Sequence, residues 1–140
     1  MSKIDLASIL IRGPQADDAP FILATWLRGL YYGCDWYKAV PKDIFMAEYH
    51  KILVRLLSAP GVEVQVACLK DDPSVILGYS VLGRDKSVIH WAFVKTGWRE
   101  MGLARILTPA SVTSASHLTK VGMNILRKHS TIVFNPFLGV

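Results

Sequence analysis

The chain has 140 residues, 51% of them hydrophobic and 19% charged, which supports one domain over 1–140 and excludes a disordered tail or a solvated coiled coil. A formal charge of +5 suits an anionic cofactor but is too diffuse to argue for nucleic acid. Mean hydropathy is high at +0.31, yet no apolar run is long enough to cross a bilayer, so the surplus predicts an exposed apolar patch and a homodimer.

The opening MSKIDLASILIRG has neither the apolar core nor the small-residue site of a signal peptide. Cys34 and Cys68 are too few and too far apart for a disulfide framework or a zinc site, so a reducing cytoplasm is the expected compartment and both read as buried hydrophobes. Ser8 to Arg12 is a short β-like run stopped by Gly13-Pro14. Asp17 and Asp18 before Ala19-Pro20 then mark a helix start, with Leu23, Trp26, Leu27 and Leu30 as its buried stripe and Gly29 weakening it. The segment Tyr31-Tyr32-Gly33-Cys34-Asp35-Trp36-Tyr37 packs four aromatic rings around one carboxylate, as either a pocket wall or plain core.

Pro41 opens a second helix whose stripe is Phe45, Tyr49, Ile52, Leu53 and Leu56, ended by Ser58-Ala59-Pro60-Gly61. Val62 to Cys68 alternates as a half-buried strand, and Val75 to Leu82 follows as the next one. After these come a weak strand candidate at Val112 to Leu118, a helix over Lys120 to His129, and a final strand at Thr131 to Phe134. No internal repeat or linker interrupts the chain.

The stretch Val88 to Leu107, VIHWAFVKTGWREMGLARIL, organises the rest. It opens as an apolar run of the kind buried on both faces, breaks at Thr96-Gly97, and resumes after Gly102 with Leu103, Ile106, Leu107 and Ala110 at helical spacing. Strand, Gly-containing loop and helix in this order direct the unpaired first-turn N–H groups at the loop, where Arg99 adds a full charge. Gly102 and Ala104 leave the backbone uncovered, so an anion fits there; an ordinary strand-to-helix turn with a surface arginine would look the same. Pro109 should cut the helix short.

Arg99-Glu100-Met101-Gly102-Leu103-Ala104 resembles the Gln/Arg-x-x-Gly-x-Gly/Ala pattern of the GNAT superfamily, the acyl-CoA-dependent N-acyltransferases. Val94 stands where that family's strand ends, and Trp98, Arg105 and Leu107 also match its consensus. The resemblance implies an α+β fold: a mixed, mostly antiparallel central sheet of about six strands, flanked by about four helices and shortened at the C-terminus. A missing last strand would leave an edge for a partner to cover. The resemblance also implies acetyl-CoA as acyl donor, without a metal. Its pyrophosphate would rest on the amides of Arg99, Glu100, Met101, Gly102, Leu103 and Ala104, and its pantetheine arm along Phe93 and Val94. The loop between the first two helices would wall the acceptor pocket with Tyr31, Tyr32, Asp35 and Trp36.

The implied reaction is direct attack of a primary amine, on a small molecule or a protein, on the thioester. It needs a base, oxyanion donors and a proton for the thiolate. Backbone N–H groups near Phe93 and Val94 could be the donors. The carboxylate that many members use as base would fall near Val88, so His90 on the same strand face becomes the candidate, against the alternative of a hydrogen-bonded core histidine. The tyrosine that many members use as acid is missing after the fifth strand, where Asn124, Ser116 and His117 are the nearby polar residues. A non-catalytic GNAT-fold protein that binds or regulates a partner is the other reading.

Overall fold

A computed structural model of the protein describes residues 6–98, 102–119 and 131–139. Among them, strands β1 (Ile9–Arg12), β2 (Glu63–Leu69), β3 (Ile76–Gly83), β4 (Val88–Val94), β5 (Ser114–Ala115) and β6 (Val133–Phe134) form one sheet in sequential order. The first four strands are antiparallel neighbours, whereas β5 runs parallel to β4 and β6 parallel to β5. Helices α1 (Ala19–Gly33), α2 (Asp35–Lys38) and α3 (Lys42–Leu57) lie between β1 and β2, and α4 (Leu103–Leu107) lies between β4 and β5.

The apolar pattern explains the layers. Ile22, Trp26, Leu27 and Leu30 of α1 and Phe45, Leu53 and Leu56 of α3 bury against Val66, Tyr79 and Val81 on one face of the sheet. Leu103 and Leu107 of α4 bury against Ile9, Ala67 and Leu77 on the other. The stripe of α1 is turned slightly from the expected one, with Ile22 buried and Leu23 half-buried. Gly29 has a positive reason to interrupt it, since a Cβ there would lie 2.9 Å from the Trp91 ring. The glycine lets α1 settle on β4, and Trp26 stacks on Trp91 with centroids 5.8 Å apart.

The start of α1 falls where expected, with Asp18 as N-cap and proline in the first turn, but the Asp18 carboxylate does not cap the helix. It accepts two hydrogen bonds from Arg12, at 2.7 and 3.0 Å, and one from the Gln15 N–H at 2.7 Å, tying β1 to the helix start. Tyr79 ties the helix body to β3, its hydroxyl lying 3.0 Å from the Ile22 carbonyl and 2.8 Å from Thr25 Oγ1.

Two strand expectations need correction. In β2, Val66, Ala67 and Cys68 are all buried, because α4 covers the second face and a bulge after Ala67 breaks the alternation. In β4, the reverse holds: Ala92 is exposed and Phe93 and Val94 are half-buried, although the run is apolar throughout. The candidate strands at 112–118 and 131–134 shrink to two paired residues each, and the candidate helix at 120–129 lies outside the described residues. Helix α4 stops at Leu107 as Pro109 predicts, leaving Ala110 exposed in a turn. Both cysteines are free, Cys68 buried and Cys34 half-buried.

Candidate active site

Among the described residues, strand β4 is paired on both sides at its start. Val88 pairs with Ser114 and Ile89 with Ala115, and the Ser116 N–H donates to the Ile89 carbonyl at 3.1 Å. Beyond that point β4 stays paired with β3 as far as Val94, opposite Gly78, while the chain after Ala115 is no longer strand. Among the described residues, the pairing of β4 with β5 therefore ends at Ile89 and Ser116. Phe93 and Val94, the expected thioester-side residues, lie further along β4.

The loop after β4 leads through Lys95, whose N–H donates to the Leu77 carbonyl at 2.8 Å, into a 3-10 turn at Thr96–Trp98. Arg99, Glu100 and Met101 lie outside the described residues. Gly102 begins α4 in the left-handed region at φ 80°, and a Cβ there would meet nothing within 4 Å. That combination fits a bound anion, since the backbone turns sharply and the space over it is empty. Leu103 is buried beneath the helix and Ala104 is exposed. With five residues, α4 has too little length for its dipole to make an anion site by itself.

His90 is the extra residue of a β-bulge, because Val81 pairs with Trp91 and Leu82 with Ile89. Its ring lies over Gly83, the partner of Val88, and so keeps to the face that sequence period assigns. It is 4% exposed, and its Nδ1 lies 2.7 Å from Ser116 Oγ. Ser116 Oγ is also 2.8 Å from His117 Nδ1, and His117 Nε2 is 2.8 Å from the Tyr49 hydroxyl. Burial, and then the charge of Arg84, lowers the His90 pKa; burial, and then His90, holds His117 down to about 4. Asn124 lies outside the described residues. Tyr49 is the member that sequence reading missed, because its helical spacing marks it simply as core. Only the fold brings it to His117.

Among the described residues, the four expected pocket residues are divided between core and surface. Tyr31 is core, its hydroxyl donating to the Val40 carbonyl at 3.2 Å. Trp36 is 79% exposed, Tyr32 lies beneath the cations of Arg28 and Lys42, and Asp35 pairs with Lys38 at 3.6 Å on the surface. The short helix α2 carries Asp35 and Trp36 outward, a turn that composition does not reveal. A cleft of about 450 Å³ opens elsewhere, between the start of α1 and the ends of β3 and β4, lined by Arg12, Asp17, Asp18, Phe21, Ser74 and Lys95. Asp17 is its exposed carboxylate, and Phe21 packs edge-on to Phe93 of β4. Among the described residues, no group of three His, Cys, Asp or Glu side chains could hold a metal ion, and no helix is long and apolar enough to cross a membrane.

Buried His90 and half-buried His117 predict an acid-sensitive fold. Both have folded pKa values below the unfolded value, so the unfolded chain binds more protons as pH falls below 6.5. Their contribution is complete above 6.5 and is lost toward pH 4; for His117 alone the span from 6.5 to about 4 corresponds to on the order of 3 kcal/mol. Asp18, lowered by its hydrogen bond to Arg12, adds a loss at lower pH. Urea unfolding at pH 7.5, 5.5 and 4.5 should show a steady decline. Equal stability at all three would show that neither histidine is held neutral by the fold.

No protein-family model matches the sequence, and no curated protein matches it. Solved structures do match in fold. A candidate acetyl transferase of Pyrococcus furiosus superposes with a TM-score of 0.59 at 14% identity, covering 91% of this chain and 81% of its own. A possible acetyltransferase of Clostridium difficile 630 superposes with a TM-score of 0.51 at 15% identity, covering 91% and 78%. The fold is the GNAT fold, an open mixed sheet with helices on both faces.

Proposed function

We propose that the protein is an N-acetyltransferase that moves an acetyl group from acetyl-CoA to a primary amine. The observation that supports this most directly is the end of the β4–β5 pairing at Ile89 and Ala115, together with the left-handed, uncovered Gly102 that follows β4 and its loop. When bound, acetyl-CoA supplies the activated acyl group. Arg99, Glu100, Met101, Gly102, Leu103 and Ala104 hold its pyrophosphate in this reading, and Phe93 and Val94 line its arm.

His90 takes the proton from the attacking amine, directly or through a water, and N–H groups near Phe93 and Val94 stabilise the tetrahedral oxyanion. The exposed carboxylate of Asp17, in the cleft next to Phe21, gives a cationic acceptor one anionic contact. A binding role without catalysis is the second reading. It is supported by exposed apolar side chains near the sheet edge at Val133, Phe134 and Phe137, the last 82% exposed.

Calorimetric titration with acetyl-CoA, followed by thiol release in the presence of amines, separates the two. The transferase reading expects micromolar binding and amine-dependent thiol release. Binding with no release for peptides, polyamines or aminoglycosides favours the binding role, and no binding at all overturns the first reading.

A further inference from the structure

His90, Ser116, His117 and Tyr49 come from three parts of the chain, yet their side chains make one unbroken run of hydrogen bonds at 2.7, 2.8 and 2.8 Å. The run begins on β4, passes the end of the β4–β5 pairing and reaches half-buried Tyr49 of α3. We propose that these four side chains form a proton relay, in which Ser116, His117 and Tyr49 carry away the proton that His90 takes from the acceptor amine. The relay rests on the transferase reading above, and it adds three positioning residues to the site.

The geometry restricts the run to two states. Ser116 has one hydroxyl hydrogen and stands between two Nδ1 atoms, so it can donate to only one of them, and the other imidazole must donate to it. In the first state His90 Nδ1–H donates to Ser116, Ser116 to His117 Nδ1, and His117 Nε2–H to the Tyr49 oxygen. In the second state every donor is reversed.

The step conserves protons. A proton binds His90 Nε2 as Nδ1–H passes to Ser116 Oγ. The Ser116 hydrogen passes to His117 Nδ1, the His117 Nε2 hydrogen passes to Tyr49, and the original Tyr49 hydrogen leaves to water. All four groups end neutral, with one proton moved from amine to solvent.

Concerted transfer fits the surroundings, because no ion along the run is favoured. Burial, then His90, keeps the His117 imidazolium rare, and burial, then Tyr37, raises the Tyr49 hydroxyl far above the usual phenol range. Among the described residues, the charged or titratable neighbours are Arg84 beside His90, and Tyr37 and Cys34 beside Tyr49. The Tyr49 ring has packing of its own against Phe45, Tyr37 and His117, so removing only its hydroxyl preserves those contacts.

The test combines ¹⁵N spectra of the histidine rings with steady-state rates on the full chain. Tyr49→Phe should move the ring-nitrogen shifts of His90 as well as those of His117, although two side chains separate Tyr49 from His90. It should also lower kcat about tenfold with KM for acetyl-CoA unchanged. Ser116→Ala should do the same, Ser116→Thr should restore the rate, and the double variant Tyr49→Phe/Ser116→Ala should be no slower than either single one. His90 nitrogens that ignore Tyr49→Phe overturn the relay, as does a variant that loses stability while keeping wild-type kcat and pH profile. If the wild type releases no thiol with any amine, the transferase reading fails instead, whatever the spectra show, and the catalytic role falls with it.

Discussion

Gly102→Val should weaken acetyl-CoA binding at least about 100-fold while the protein still folds. Two consequences of the substitution can be separated. The backbone at φ 80° lies in a region that a β-branched residue enters at a cost of about 1–2 kcal/mol, and this lowers stability whatever is bound. The new side chain itself meets no protein atom, because a Cβ at Gly102 has nothing within 4 Å. It would occupy open space over the loop, where the pyrophosphate is proposed to lie, and a lost multidentate phosphate contact accounts for a loss of that size.

Gly61 provides the matched control. It has the same φ of 80° and the same empty surroundings, but sits in the turn before β2. Gly61→Val should lower stability by a similar amount and leave acetyl-CoA affinity unchanged. Calorimetry on both variants, with thermal melts to verify folding, decides the matter. Equal affinity for acetyl-CoA in wild type and Gly102→Val would remove the loop from the binding site.

Where local chemistry decides the outcome, the sequence was legible. Pro41 and Pro109 punctuate helices because a proline ring cannot continue an interior turn, and α3 begins at Lys42 and α4 ends at Leu107 accordingly. The valine and leucine runs of β2 and β3 identify strands because β-branched side chains in a buried sheet have few alternatives. Legibility stopped where distant contacts decide. Apolar content along β4 gives no sign that its pairing with β5 ends at Ile89, because that pairing depends on a strand more than twenty residues further on.

The same limit applies to the site. His90 could be named from its place on the strand, but its bulge, its seat over Gly83 and its link to Ser116 are tertiary facts. Tyr49 carried only a packing signal, and its hydroxyl acquires a partner sixty-eight residues away only in the fold. The aromatic segment read as either pocket wall or core, and the chain directs Tyr31 inward and Trp36 outward.

The largest kinetic effect is expected at His90, where enzyme and binding module part. As a base it must be neutral to accept the amine proton, so the rate should fall on the acid side. Because burial, and then Arg84, lowers its pKa, that fall should lie below the ordinary histidine value of 6.5. His90→Gln keeps a polar side chain of similar reach opposite Ser116 but cannot accept a proton near neutral pH. It should lose about 100-fold or more in kcat with acetyl-CoA affinity retained, the usual size of a general-base contribution, and the acid limb should disappear from its profile. A histidine that only fills the core behaves differently: its replacement lowers stability, and the surviving activity keeps the wild-type pH profile. Rate profiles from pH 5 to 9 for both proteins, with melts to measure folding, separate the outcomes. An unchanged acid limb in His90→Gln would exclude His90 as the base and assign it to packing.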